Sequence, residues 1–222
     1  MRRRSYRDEC VNPGNINTPE YWNRVYREEW ESGKARSASY VRNYAPIHEA
    51  ILRLVPDGSR VLDVACGPGI LCRKIKQRHP SAQVTGVDFS PYMITQNQAL
   101  DAALGIDYRS MDIRTDLPAI GQTFDVVTMC EILEHLDDPE AVVAGVFTLL
   151  RTGGTFILTC PHDDCIPDAE HVRSWGHDAL FHLLAPFGNT VSFVHFPPPY
   201  FDLWVLAYLT KTLNGGREER AP

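Results

Sequence analysis

An α/β fold with a largely parallel sheet, helices on both faces and an antiparallel last strand is what this sequence predicts, and three observations predict it. From Ser59 onward, short runs rich in β-branched residues alternate with helical patterns. A glycine turn, Gly67-Pro-Gly69, directly follows the first of those runs. The last two runs, Thr190 to Phe196 and Leu203 to Leu209, have only a proline loop between them, so no crossover helix fits and they should pair antiparallel. At 222 residues with 44% hydrophobic and 23% charged side chains, the chain has the size and composition of one globular domain.

The elements follow in order. Thr18-Pro19-Glu20 reads as an N-cap, a first-turn proline and a first-turn acid opening a helix to about Ser32, with Tyr21, Trp22, Val25, Tyr26 and Trp30 at helical spacing. A second helix spans about 44–54, with Ile47, Ala50, Ile51 and Leu54 on one face. Strands are expected at 60–64, 83–87, 106–111, 124–130 and 155–159, with helices at 70–78, 91–104 and 139–150 between them. Gly153-Gly154 is expected to close the last of these helical segments. A further helix should run from His177 to Leu184. The domain reading is an N-terminal segment, 1–44, whose amphipathic helix acts as a lid, then a domain over 45–214 and a tail over 215–222.

Composition excludes several classes. A net charge of −6 provides no general phosphate-binding surface, although Arg2, Arg3, Arg4, Arg7, Arg36 and Arg42 offer a local basic patch. The six cysteines lack zinc-knuckle spacing and read as free thiols in a reducing, cytoplasmic setting. The basic start leads into polar residues, unlike a secretory signal, and the apolar run 203–209 is too short to cross a bilayer.

The chemistry lies at the ends of the first two strands. Asp63 stands just before the glycine turn, and Asp88 closes the second strand 25 residues later, where an acid can accept ribose hydroxyls. The dinucleotide fingerprint is incomplete because Cys72 occupies its third small position, and no phosphate-binding G-x-x-x-x-G-K-[ST] run is present. Asp63 would repel a pyrophosphate and attract an ammonium group. A ligand with ribose, a cationic amine and no phosphate is S-adenosylmethionine.

Val61-Leu-Asp63-Val-Ala65-Cys66-Gly67-Pro-Gly69, Val84-Thr-Gly-Val-Asp88-Phe89-Ser90, Ser110-Met111-Asp112-Ile113, Phe124 to Leu136 and Leu149 to Thr155 together resemble the motifs of class I S-adenosylmethionine-dependent methyltransferases, in particular UbiG-like or methyltransferase type 11 members. The resemblance covers about 55–212, and Ala65 replaces the more frequent glycine. It implies a Rossmann-like, seven-stranded, mostly parallel sheet and a cofactor site of Asp63, Ala65, Cys66, Gly67, Asp88, Phe89, Met93, Met111, Asp112, Ile113 and Cys130. In that reading Asp88 holds the ribose, Phe89 borders adenine and Asp112 meets the adenine amino group. His171-Val-Arg173 resembles the family's segment beside the acceptor pocket.

The implied reaction carries a methyl group to oxygen or nitrogen of a small or medium-sized natural-product-like acceptor, with S-adenosylhomocysteine as product. RNA or protein acceptors, and a non-catalytic cofactor-binding activator, are the alternatives. His135 is the candidate catalytic base, a role that suits an imidazole titrating near operating pH. In some relatives an E-x-x-E-H group holds a divalent ion; Glu131, Glu134 and His135 match it, with His171 or His162 to complete it, but metal independence is preferred. The chain is expected to be a monomer or homodimer without membrane contact.

Overall fold

The computed structural model describes residues 15–34, 37, 42–162, 169–188, 190–196 and 203–212. The expected tail 215–222, the arginines at positions 2 to 7 and Arg36 lie outside the described residues.

Helix α1 (Pro19–Glu31) opens as its sequence dictates: the Thr18 hydroxyl accepts from the Tyr21 amide at 3.2 Å, and proline occupies the first turn. Helix α2 (Ala45–Leu54) leads to β1 (Arg60–Val64), α3 (Ile70–Arg78), β2 (Gln83–Asp88), α4 (Pro91–Leu100) and β3 (Asp107–Ser110). Then come β4 (Phe124–Cys130), α5 (Pro139–Leu149), β5 (Leu150–Pro161), α6 (His177–Leu184), β6 (Ser192–Val194) and β7 (Trp204–Thr210).

The seven strands lie in the order β3-β2-β1-β4-β5-β7-β6. The pairs β1–β2, β1–β4, β2–β3 and β4–β5 are parallel, whereas β7 pairs antiparallel with both β5 and β6. Period-two alternation sends Leu62, Val64, Val127, Met129, Phe156 and Leu158 to one face, beneath Val142, Val143 and Val146 of α5 and Leu180, Leu183 and Leu184 of α6. Val61, Val84, Val126 and Ile157 face the other way, onto Ile47 and Ile51 of α2, Leu71 and Ile75 of α3, and Ile94 of α4. This is the mostly parallel, doubly covered sheet with an antiparallel end that the sequence predicts.

One local expectation needs correction. Gly153-Gly154 does not follow a helix end: α5 stops at Leu149 and the chain passes straight into a 12-residue β5 that contains both glycines. The pairing with β4 shifts register there, and a Cβ on Gly154 would come within 2.9 Å of the Asp125 carbonyl oxygen, so close strand approach explains the glycine. The third strand lies at the edge of the sheet, where only Tyr108 of its four residues is buried, its hydroxyl donating to Asp101 at 2.7 Å.

Sheet order fixes where a ligand can sit. From β1 the chain proceeds outward to β2 and β3, and from β4 it proceeds the opposite way to β5. The carboxyl ends of β1 and β4 therefore flank the point where strand order reverses, the crevice in which open α/β sheets bind ligands. No helix among the described residues is long and apolar enough to cross a membrane.

Candidate functional site

The turn after β1 is a strained piece of backbone. Ala65 has φ +58°, Gly67 +47° and Gly69 +69°, and only glycine takes such values without a Cβ penalty. Glu131, the first residue beyond β4, is also left-handed at φ +53°. Two non-glycine residues in this conformation, facing each other across the reversal point, are typical of backbone held for a ligand rather than for folding.

Asp63 is buried at the end of β1. Its carboxylate accepts from the Thr128 hydroxyl at 2.7 Å and contacts the Cys72 thiol at 3.3 Å. Burial raises its pKa to about 6, despite those hydrogen bonds, and Asp88 nearby pushes in the same direction. Asp88 is only 2% exposed. One of its oxygens accepts from the Gly67 amide at 3.0 Å and the other from the Ser90 amide at 2.9 Å, so it ties the glycine turn to the start of α4; its pKa too rises to about 6 through burial.

Two cavities meet at this turn, and Ala65 lines both. The larger, about 840 Å³ and open to solvent, is bordered by Phe89, Met111, Asp112, Ile113 and Arg114 on one side and by Trp22, Ile132, His135 and Leu136 on the other. Arg114 pairs with Asp112 at 2.6 Å and lies 5.9 Å from the Phe89 ring centre. The smaller, about 650 Å³, is bordered by Tyr26, Tyr44, His48, Asp63, Cys66, Gly67, Cys130, Glu131 and Thr159 among others.

Of the sequence-predicted residues, Phe89, Met111, Asp112, Ile113 and His135 thus share the larger cavity, and Asp63, Cys66, Gly67 and Cys130 the smaller. Two of the predicted residues border neither cavity. Met93 is fully buried in α4 and borders neither cavity, because the first-turn geometry set by the Ser90 cap turns it into the protein interior. Asp88 supports the turn from beneath and borders neither cavity in this arrangement.

Helix α1 lies across the join. Its Asn23 accepts from the Ser90 hydroxyl at 2.9 Å and from the Tyr92 amide at 3.2 Å. Just before and within its first turn, Asn17 donates to the Glu170 carbonyl at 2.7 Å, the Tyr21 hydroxyl bonds the Glu170 carboxylate, and the Trp22 ring meets His135 edge-on at 5.2 Å. Beyond these anchors Tyr26 covers the glycine turn, its hydroxyl 3.1 Å from where a Cβ on Gly67 would stand.

The segment after β4 makes an acidic, imidazole-rich corner. Glu134 is 2% exposed and its Oε2 has no hydrogen-bond partner, while Oε1 lies 3.8 Å from His135 Nε2. His135 Nδ1 donates to the Glu170 carbonyl at 3.1 Å, which leaves the lone pair of a neutral ring on Nε2. Ligand atoms of Glu134, His135 and His171 lie within 4.8 Å of one another. This donor set suits a divalent cation, with the Glu170 carbonyl orienting one imidazole. Burial raises the Glu134 pKa well above the usual carboxylate range, and Glu131 adds to the shift. His162 does not join this group; its ring packs 5.2 Å from His177. Glu131 faces the smaller cavity, accepts from the Thr159 hydroxyl at 2.8 Å and has its pKa raised by burial to about 7. Trp175, 1% exposed, is core.

Sequence reasoning missed Arg114, Tyr44 and His48 as cavity residues. The signal for the last two was present: Tyr44, which caps α2, and His48, four residues on, form a polar pair beside an apolar helix face.

Residues 62–158 match the family model described as "Methyltransferase domain". The chain is 31% identical over 132 residues to the ubiquinone biosynthesis O-methyltransferase of Xanthomonas axonopodis pv. citri (strain 306), covering 59% of this chain and 54% of that one. It is 39% identical over 99 residues to the protein of the same name from Stutzerimonas stutzeri (strain A1501), covering 44% and 42%. The chain therefore spans about half the length of the curated relatives it matches. Among solved structures, that of a DhpI–SAH complex superposes with a TM-score of 0.68 at 20% identity, over 88% of this chain and 98% of that one, a likeness of fold.

Proposed function

We propose that the chain, whose residues 62–158 match the methyltransferase-domain family model, transfers a methyl group from S-adenosylmethionine to oxygen or nitrogen of a small or medium-sized organic acceptor. The observation that carries this reading is the pair of cavities meeting at Ala65, one bordered by Phe89 and Asp112 and the other by two buried acids, Asp63 and Glu131. An adenosine suits the first. An amino-acid end with its ammonium suits the second, where a cation would let both acids ionise. The names of the curated relatives, both O-methyltransferases, support an oxygen acceptor. A cytoplasmic setting suits the free, buried thiols Cys66 and Cys72.

When bound, the cofactor supplies a methyl group on a positively charged sulfur. The protein's part is to align, to exclude water and to handle one proton. The Gly67 turn and Asp63 would hold the amino-acid end, and Asp88 would keep the turn rigid, its remaining lone pairs reaching the ribose once the carboxylate turns toward the cavity. Trp22 and Tyr26 of α1 close the site from above, the lid role expected of 1–44. His135 Nε2, the acceptor atom of a ring fixed through Nδ1, takes the proton from the acceptor hydroxyl as it attacks. Methyl-labelled cofactor offered to hydroxylated aromatic and amine acceptors, with RNA and protein extracts in parallel, tests the assignment. Label in a small organic product supports it, and label only in RNA or protein overturns the acceptor class.

One observation favours a second reading of the corner. A buried carboxylate oxygen without a partner, beside two imidazoles, fits a divalent cation held by Glu134, His135 and His171. Such an ion would hold an acceptor oxygen and lower its pKa.

A further inference from the structure

The smaller cavity has two acids for an ammonium but, among the described residues lining it, no lysine or arginine for the carboxylate that accompanies it. The one lining side chain able to carry positive charge is His48 of α2. It is 8% exposed, and its Nδ1 has no hydrogen-bond partner, an orphan that a folded interior does not normally tolerate. Its ring stacks on Tyr44 at 6.2 Å, and Tyr44 in turn meets Trp204 of β7 at 6.0 Å, so the imidazole is held in place rather than free to swing out.

We propose that His48 recognises the carboxylate of the amino-acid end of S-adenosylmethionine and takes up a proton as that carboxylate binds. The inference rests on the cofactor reading above and names the group that reading leaves unmatched. The charged and titratable groups around His48 agree with it. Lys74 of α3 repels a proton on the ring, and Asp63 of β1 and Glu131 beyond β4 border the same cavity, with Tyr26 of α1 and Tyr44 as neutral hydroxyls. Desolvation and then Lys74 lower the His48 pKa to about 3, so the ring is neutral while the cavity is without an anion. A carboxylate arriving beside this buried ring reverses the balance: the ring gains an ion-pair partner and the orphaned nitrogen gains a hydrogen bond. The amino-acid end is then read at both charges, by the acids on its ammonium and by His48 on its carboxylate.

The test uses imidazole ¹⁵N NMR on the full chain, with His48 assigned through His48→Gln, and two probes. S-adenosylhomocysteine carries the amino-acid end, and 5′-methylthioadenosine lacks it. Saturating S-adenosylhomocysteine should move the His48 nitrogens to the protonated pattern at pH 6, and 5′-methylthioadenosine should leave them neutral. By calorimetry, His48→Gln and His48→Asn should weaken S-adenosylhomocysteine about 10- to 100-fold, the loss of one charge-assisted hydrogen bond, and leave 5′-methylthioadenosine within about twofold, a control for folding. A His48 signal unmoved by S-adenosylhomocysteine, or equal weakening of both nucleosides, overturns the assignment and leaves the cofactor reading intact. Failure of the unmodified chain to bind either nucleoside would instead overturn the cofactor reading, and this inference with it.

Discussion

Ala65→Gly should leave the protein as stable as before or more so, the reverse of what that substitution does elsewhere. Ordinarily, replacing a half-buried alanine by glycine loses on two counts. The unfolded chain gains freedom worth about 0.4–1 kcal/mol, and removal of a partly buried methyl forfeits about 0.4 kcal/mol more, half the value of a fully buried one. At Ala65 a third contribution has the opposite sign. Its φ of +58° puts Cβ against the following carbonyl, a clash of roughly 1–2 kcal/mol that glycine does not have. The sum runs from a loss of about 0.4 kcal/mol, close to no change, to a gain of about 1.2 kcal/mol, or up to about 2–5 °C in Tm for a chain of this size. Gly67→Ala is the mirror experiment: it adds a left-handed Cβ at φ +47°, 3.1 Å from the Tyr26 hydroxyl, and should lose roughly 1–2 kcal/mol. Urea titrations of both variants beside the unmodified protein measure the two signs directly. An Ala65→Gly variant destabilised by more than about 1 kcal/mol would refute the argument that strain is held at this turn. Because the Ala65 methyl borders both cavities, the same variant should bind S-adenosylhomocysteine at least as tightly as the unmodified protein.

Three further outcomes are expected. Asp63 has its pKa raised from 3.8 to about 6, so the native state holds the proton more tightly than the unfolded chain; the stability this contributes is complete below about pH 4 and is lost as pH rises through about 6. Stability of the unmodified protein relative to Asp63→Asn should thus fall by up to about 3 kcal/mol between about pH 4 and pH 7, and a flat difference would contradict the burial argument. Asn23→Ala removes the contacts that pin α1 to Ser90 and Tyr92, and should lower turnover several-fold while shifting Tm by less than about 3 °C; unchanged turnover would show that α1 does not close the site. Chelator leaves turnover unchanged if His135 acts alone as the base, with His135→Ala lowering kcat by about 10² to 10⁴; loss of turnover on chelation, restored by one divalent ion and weakened in Glu134→Gln, assigns the corner to a cation.

What could be read from the sequence, and what could not, follows from how far apart the partners lie. Strand order and the glycine turn rest on patterns a few residues long: alternation in Val61 to Val64, the Ser90 cap before α4, Gly67 and Gly69 after β1. The role of Asp88 in holding the turn was not legible, because it depends on which way the carboxylate rotates, and the Gly67 amide wins that choice by lying directly above it across the β1–β2 pair. Met93 borders neither cavity for a related reason: proximity in sequence to Asp88 and Phe89 does not survive the first turn of a helix, which advances each residue by about 100°. His48 was passed over as a site residue despite its polar neighbour Tyr44, since a histidine within an apolar helix is ordinarily core.

What separates His48 from core is that a core histidine finds partners for both ring nitrogens, and this one, beside two buried acids and a cavity, does not. The same contrast applies to Glu134. Its sequence neighbour His135 has a backbone carbonyl on Nδ1, and Glu131 has the Thr159 hydroxyl, yet one Glu134 oxygen is left without a partner at the point where His135 and His171 converge. Each of these unmatched atoms borders a place where the proposed chemistry needs a charge from outside the chain: a carboxylate at His48, and a proton or cation at Glu134. An interior that satisfies its other buried acids so closely, with Asp63 on Thr128 and Cys72 and Asp88 on two amides, would gain from satisfying these two as well. That it leaves them open ties the cost to ligand binding, where the missing partner arrives with the ligand and its full desolvation penalty is recovered as affinity.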